Sequence, residues 1–122
     1  MNNIQKLLRV LLALELLVIV YFSLKSPQGG VNVQLNDKLG HFIGYATLSL
    51  TAFLVFKCQS KIHSFYLIFV LLGIGASLEW LQGFVPGRDV SGLDIVANAI
   101  GVAIGAVLYV GWRRIQSKAK MS

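Results

Sequence analysis

The sequence predicts an all-α integral membrane protein, a bundle of four transmembrane helices with both termini in the cytoplasm. The 122 residues are 56% hydrophobic and 13% charged, and the mean hydropathy of +0.71 is too high for a soluble domain. The apolar residues form four blocks of about 18 to 21 residues, which at about 1.5 Å per residue match a hydrocarbon core about 30 Å thick. We predict a single domain over residues 1–122, with helices near 7–24, 39–56, 64–84 and 93–112.

The first block follows Lys6 and Arg9, as the apolar core of a secretion signal would. Its downstream flank, Ser23-Leu24-Lys25-Ser26-Pro27, lacks a small-x-small cleavage site, and the apolar run is longer than a usual signal core. The sequence therefore predicts a retained helix. Glu15 lies near the middle of this helix, where a charge is costly and usually functional; the alternative is a protonated acid hydrogen-bonded inside the bundle.

Polar residues mark the ends of the other three blocks. The second block opens with Asp37-Lys38-Leu39-Gly40-His41, the third ends with Glu79-Trp80-Leu81-Gln82, and the fourth begins beside Asp94. Gly101 and Gly105 form a GxxxG pattern on the Asp94 face of the fourth block, which predicts close helix packing. The single cysteine, Cys58, lies between the second and third blocks and is predicted to be a free thiol without a metal-binding role.

The basic residues predict the orientation of the bundle. Eight of the eleven Lys and Arg residues lie in the N-terminal flank (Lys6, Arg9), between the second and third blocks, or after the fourth. By the positive-inside rule, both termini are cytoplasmic and the segments 25–38 and 83–92 face outward. The net charge of +6 then reflects topology and attraction to anionic lipid head groups, because no nucleic-acid-binding motif is present.

This topology brings the polar residues of three helices to the outward end of the bundle. Glu79 and Gln82 share a helix face, as do Asp94 and Asn98, and as do Asp37 and His41 if the second helix begins at Asp37. Pro86-Gly87 predicts a tight turn that folds Arg88 back over these residues, and its planar fork suits a phosphate or carboxylate. The candidate binding residues are Asp37, Lys38, His41, Glu79, Gln82, Arg88, Asp94 and Asn98.

Each of these residues also has a structural interpretation. Asp94 is placed to cap the fourth helix, and Asn98 to hydrogen-bond between helices. His41 is placed to pack against Asp37 or Glu79, and Arg88 to form a buried ion pair with Glu79. The sequence leaves these alternatives open.

Taken together, the ordered motifs resemble the VanZ-like family. The resemblance rests on Asp37-Lys38-x-x-His41, Glu79-x-x-Gln82 with Pro86-Gly87-Arg88, and Asp94-x-x-x-Asn98-x-x-Gly101-x-x-x-Gly105, and it covers about residues 37–112. The family takes its name from an accessory protein that confers low-level teicoplanin resistance. The resemblance implies a small polytopic protein of the bacterial cytoplasmic membrane and leaves the mechanism open.

Three functional classes are compatible with these residues. The favoured one is a non-catalytic protein that binds an anionic envelope lipid or cell-wall precursor head group and is linked to glycopeptide resistance. The second is a membrane enzyme acting on such a head group, with His41, Glu79 or Asp94 as catalytic candidates. The third is a small multidrug-type transporter, although the biased basic residues argue for one fixed orientation. We predict no cofactor, no bound metal and no nucleic-acid partner; the oligomeric state is open.

Overall fold

Within residues 1–26 and 33–122, which the computed structural model describes, the chain forms four α-helices. They are α1 (Asn3–Leu24), α2 (Val33–Phe56), α3 (Lys61–Gln82) and α4 (Gly92–Met121). All four are long and apolar enough to cross a membrane. The prediction of an all-α chain with four spans is confirmed, whereas the cytoplasmic location of the termini stays a prediction. The segment 25–38, predicted to face outward, lies partly outside the described residues.

Two helices extend well beyond the predicted bounds. α2 begins at Val33 instead of residue 39, so that Asp37 lies inside the helix, one turn before His41. α4 continues to Met121 instead of ending near residue 112, because the polar tail consists mainly of Arg, Gln, Lys and Ala, which are good helix formers. Hydropathy locates the membrane-spanning part of a helix, not its ends.

Polar residues at the helix starts explain where α1 and α3 begin. The side chain of Asn2 accepts a hydrogen bond from the backbone N–H of Gln5. The side chain of Ser60 accepts in the same way from His63. Both caps satisfy a backbone donor that the first turn of a helix leaves free.

The closest helix pair is α2 with α4, and the predicted GxxxG pattern lies in its interface. A Cβ atom added to Gly101 would lie 2.6 Å from the carbonyl oxygen of Phe42, and one added to Gly105 would lie 2.6 Å from that of Ala46. The hydroxyl of Ser49 donates to the Val102 carbonyl across the same interface, at 2.8 Å. The missing side chains therefore let two backbones meet, as the pattern predicted.

Helix α1 packs mainly along α2 and directs its one acidic side chain toward that helix. The Thr51 hydroxyl donates to Glu15 Oε1 at 3.2 Å. Many of the large apolar side chains on the outside of the bundle are exposed, as expected for helices surrounded by lipid. Glu15 thus has a hydrogen-bond donor within the bundle, in keeping with the structural interpretation of this residue.

Candidate functional site

The predicted site residues come together at one end of the bundle, and we call these eight residues the polar layer. Asp37, His41 and Asp94 each offer a ligand atom within 4.8 Å of the others. Glu79 lies within electrostatic range of all three, and Gln82 follows it by one turn on α3. The members of the polar layer are Asp37, Lys38, His41, Glu79, Gln82, Arg88, Asp94 and Asn98.

His41 is oriented by a hydrogen bond between α2 and α4. Its Nδ1 lies 3.0 Å from Oδ1 of Asn98, and an amide oxygen only accepts, so Nδ1 carries the proton in the neutral ring. Nε2 then lies 3.8 Å from Oδ2 of Asp37 and is the basic nitrogen of the ring. Asn98 makes the interhelical hydrogen bond that was one of its two interpretations in the sequence. This bond favours the His41 tautomer in which Nδ1 carries the proton.

Arg88 folds back over the layer, but its partner is not Glu79. Its Nη1 donates to both carboxylate oxygens of Asp37, each at 3.2 Å. Nε donates to the Lys25 carbonyl at 2.9 Å, and Nη2 to the Phe22 carbonyl at 2.7 Å. All three guanidinium nitrogens are therefore engaged by the end of α1 and by α2, which makes Arg88 a clamp between these helices.

Lys38 and Asp94 form a second charged pair across α2 and α4. Lys38 Nζ lies 3.5 Å from Oδ1 of Asp94, with the Lys38 side chain 33% exposed and the Asp94 side chain buried. The N-cap residue of α4 is Ser91, whereas Asp94 lies in the first turn, where a carboxylate still favours the helix dipole. A divalent cation at Asp37, His41 and Asp94 would have to compete with Arg88 and Lys38 for the same oxygens.

Glu79 and Gln82 are almost completely buried at the end of α3, each 1% exposed. Glu79 Oε1 accepts the backbone N–H of Ser91 at 2.6 Å, which ties the end of α3 to the start of α4. Glu79 Oε2 and Gln82 Nε2 have no hydrogen-bond partner among the described residues. Buried polar atoms are normally paired, so these two are available to a bound polar group.

Tyr45 belongs to this site and was missed in the sequence. It is 1% exposed, and its hydroxyl also lacks a partner in the part of the chain that the structure describes. A Cβ added to Gly75 would lie 3.3 Å from the Tyr45 ring and 3.1 Å from Nδ2 of Asn98. The absence of a side chain at Gly75 therefore lets α3 pack closely against both residues. The spacing Asp37, His41, Tyr45 places one residue per turn on one face of α2 and would have revealed it.

A cleft of about 120 Å³ opens beside the polar layer, between α1 and α2. Asp37, His41 and Tyr45 form its polar side. Gly40 and Gly44 leave its floor free of side chains, and Val18, Ile19 and Phe22 of α1 form its apolar wall. Asp37 and His41 of the polar layer are thus reached from between α1 and α2.

The comparisons with known proteins agree with the resemblance read from the motifs. A sequence profile described as VanZ/LLP1 matches residues 4–114. An uncharacterized protein of Schizosaccharomyces pombe is 30% identical over 80 residues, which cover 64% of this chain and 49% of that protein, so the chain spans about half the length of this curated relative. No solved structure is a significant match. Because the profile extends over nearly all of the bundle, the chain belongs to the VanZ/LLP1 family.

Proposed function

We propose that the polar layer binds the head group of a phosphorylated envelope lipid or lipid-linked cell-wall precursor. Lys38, the partly exposed cation at the rim, contacts the phosphate. The unpartnered Oε2 of Glu79, and Asp94 beside its Lys38 partner, accept hydrogen bonds from hydroxyl or amino groups of the head group. Arg88, one of the candidate binding residues predicted from the sequence, has the positioning role of holding α1 against Asp37.

The observation that carries this proposal is a group of unpaired polar atoms buried at one end of the bundle. Glu79 Oε2, Gln82 Nε2 and Tyr45 OH make no hydrogen bond to the described residues, and Asp94 Oδ1 makes none beyond its ion pair with Lys38 at 3.5 Å. An unsatisfied buried polar atom costs about 1–3 kcal/mol, so three of them at one site favour a ligand that supplies both donors and acceptors. Proteins retain such atoms at sites of function.

The position of the cleft supports a ligand anchored in the membrane. The cleft has one polar side formed by Asp37, His41 and Tyr45, and one apolar wall formed by α1. A lipid presents the same division, with a polar head group joined to apolar chains. A lipid-linked head group can therefore meet the polar layer while its chains remain in the bilayer beside α1.

The direct test is lipid retention by the purified protein, measured by native mass spectrometry against a series of phosphorylated and zwitterionic lipids. Lys38→Gln should weaken binding of a phosphorylated lipid by roughly tenfold or more, since hydrogen bonds to charged groups contribute about 1.5–3 kcal/mol. Lys25→Gln is the matched control, because its exposed side chain lies over the Tyr21 ring, outside the polar layer. Equal binding by Lys38→Gln and wild type would refute the phosphate contact.

Tyr45→Phe separates binding from folding. The variant removes one buried hydroxyl that has no described protein partner, so the protein should be at least as stable as wild type. If the hydroxyl contacts the head group, lipid retention falls while the melting temperature does not. Unchanged lipid retention would exclude Tyr45 from the site.

The orientation of His41 favours catalysis as a second candidate function. With Nδ1 bonded to Asn98, Nε2 is placed to remove a proton from a head-group hydroxyl. A catalytic His41 predicts that a deletion strain accumulates an unmodified envelope lipid, and that His41→Gln binds this lipid without converting it. Identical envelope lipids in deletion and wild-type strains would leave lipid binding as the function.

The proposal assigns the chain to the bacterial cytoplasmic membrane, with the polar layer facing outward, where cell-wall precursors are used. A link to teicoplanin-type resistance then has a direct cause, because the glycopeptide and the protein meet the same class of ligand. A strain lacking the chain should become more sensitive to teicoplanin. Wild-type protein should restore resistance, and Lys38→Gln at equal protein level should not.

A further inference from the structure

The opposite end of the bundle, which we call the basic end, carries cations without anions. Four of the five acidic residues lie in or beside the polar layer, and the fifth, Glu15, lies in the middle of α1. No acidic residue occurs in 38–78 or 95–122. The basic end carries Lys6, Arg9, Lys57, Lys61, Arg113, Arg114, Lys118 and Lys120, all of them exposed.

A large cleft lies at this end, between the start of α3 and the second half of α4. Its volume is about 710 Å³, and its lining includes Lys61, Ser64, Arg113 and Arg114. Arg113 is fixed in place: Nη1 donates to the Cys58 carbonyl at 3.2 Å, and its guanidinium lies 6.0 Å from the centre of the Tyr109 ring. Lys61 and Arg114 form no ion pair within the described residues, so their charges are free.

The cleft continues into an apolar groove along α3. Phe65 and Ile68 line both the cleft and the groove. The groove also includes Ile62 at the start of α3 and continues past Phe69 and Leu72 toward the middle of that helix. Cationic groups therefore occupy one end of a continuous depression, and aromatic and aliphatic side chains occupy the other. A phospholipid has the same division between a charged head group and apolar chains.

We propose that the cleft and groove together form a binding site for an anionic phospholipid of the leaflet at the basic end. Lys61 and Arg114 contact the phosphate, and Arg113 stabilises the cleft wall between them. One acyl chain lies along Phe65, Ile68 and Phe69. Charge complementarity selects an anionic lipid, and the apolar groove selects a lipid over free phosphate. This site is independent of the polar layer, because the two lie at opposite ends of the helices.

The test compares two double variants that lose the same charge. Lys61→Gln/Arg114→Gln removes the two cleft cations that form no ion pair within the described residues and leaves Arg113 in place, whereas Lys118→Gln/Lys120→Gln removes two exposed cations of the α4 tail, beyond the cleft. Each protein is reconstituted in nanodiscs containing equal amounts of phosphatidylglycerol and phosphatidylcholine, and the lipid that remains bound on release is identified by native mass spectrometry. We expect preferential retention of phosphatidylglycerol by wild type and by the tail variant.

The cleft variant should retain phosphatidylglycerol about 30-fold less tightly, roughly fivefold for each basic residue near an anionic surface. Phe65→Ala keeps every charge and should also weaken retention, because it shortens the apolar groove. Equal losses in the two double variants would show diffuse attraction of the whole basic end and would overturn the proposal. Full displacement of the lipid by millimolar glycerol phosphate would overturn the role of the apolar groove.

Discussion

The two ends of this bundle use charge in opposite ways. At the polar-layer end, Asp37 pairs with Arg88 and Asp94 with Lys38, and these pairs allow carboxylates to be buried among helices. At the basic end, eight cations remain exposed and no carboxylate accompanies them. Paired charges hold the polar layer together between helices, whereas the exposed cations at the other end are the ones that we expect to set the orientation of the chain and to contact lipid phosphates.

Labelling from one side of the membrane tests this comparison with the largest expected effect. In a Cys58→Ser background, Ser26→Cys lies beside the polar-layer end and Gln59→Cys lies at the basic end; both positions are exposed. If the basic end is cytoplasmic, a membrane-impermeant maleimide should label Ser26→Cys in intact cells and leave Gln59→Cys unlabelled until the cells are opened. The reverse pattern would place the polar layer in the cytoplasm and contradict the proposed link to cell-wall precursors.

Both ends depend on the close contact of α2 and α4 between them, so disrupting it should affect the whole molecule. Gly105→Leu places side-chain atoms where a Cβ alone would lie 2.6 Å from the Ala46 carbonyl and 2.7 Å from the Leu50 nitrogen. These are backbone atoms and cannot move aside, so we expect most of the protein to be lost from the membrane fraction. Gly111→Leu on the same helix is the control, because a Cβ there meets nothing within 4 Å. Equal membrane levels of the two variants would contradict the described packing.

The sequence predicted the parts of this molecule that depend on hydropathy and helical spacing. The four apolar blocks predicted the four helices. The inward face of α4 was predicted from the spacing of its polar and small residues, Asp94, Asn98, Gly101 and Gly105. The convergence of the polar layer followed from these two facts, because charges near the membrane must find partners.

The sequence did not predict partners that depend on the three-dimensional path of the loops. An ion pair of Arg88 with Glu79 was one alternative that the sequence left open, but Arg88 reaches across to the end of α1 and to Asp37. Glu79 instead accepts a backbone N–H of Ser91, a donor that no side-chain pattern reveals. Tyr45 was overlooked because a tyrosine within an apolar run is usually interpreted as a core residue. Its position four residues after His41 nevertheless places it on the same face of α2.

Replacing arginine by lysine at each end separates the two uses of charge. Arg88→Lys keeps the charge but loses the planar fork that holds Asp37 and two carbonyls of α1, so we expect a loss of about 1–3 kcal/mol in the free energy of unfolding. Arg114→Lys makes the same chemical change at an exposed cation that forms no ion pair in the described chain, and stability should not change. Thermal unfolding in detergent measures both. Equal effects would show that Arg88 is no more a clamp than Arg114.

The smallest effect concerns Cys58, a buried thiol among the cations of the basic end. Burial raises the pKa of this thiol, more than a hydrogen bond of its own backbone lowers it. The thiolate is the reactive form, so iodoacetamide should modify Cys58 at pH 8 several times more slowly than Gln59→Cys in the Cys58→Ser background, and its rate should rise at higher pH. Because folding raises the pKa of Cys58, the neutral thiol stabilises the folded protein at pH values below the ordinary pKa of a thiol. This contribution to the free energy of unfolding is lost as the pH rises through the raised pKa. If Cys58 and Gln59→Cys share one pH profile, burial does not raise the pKa of the Cys58 thiol.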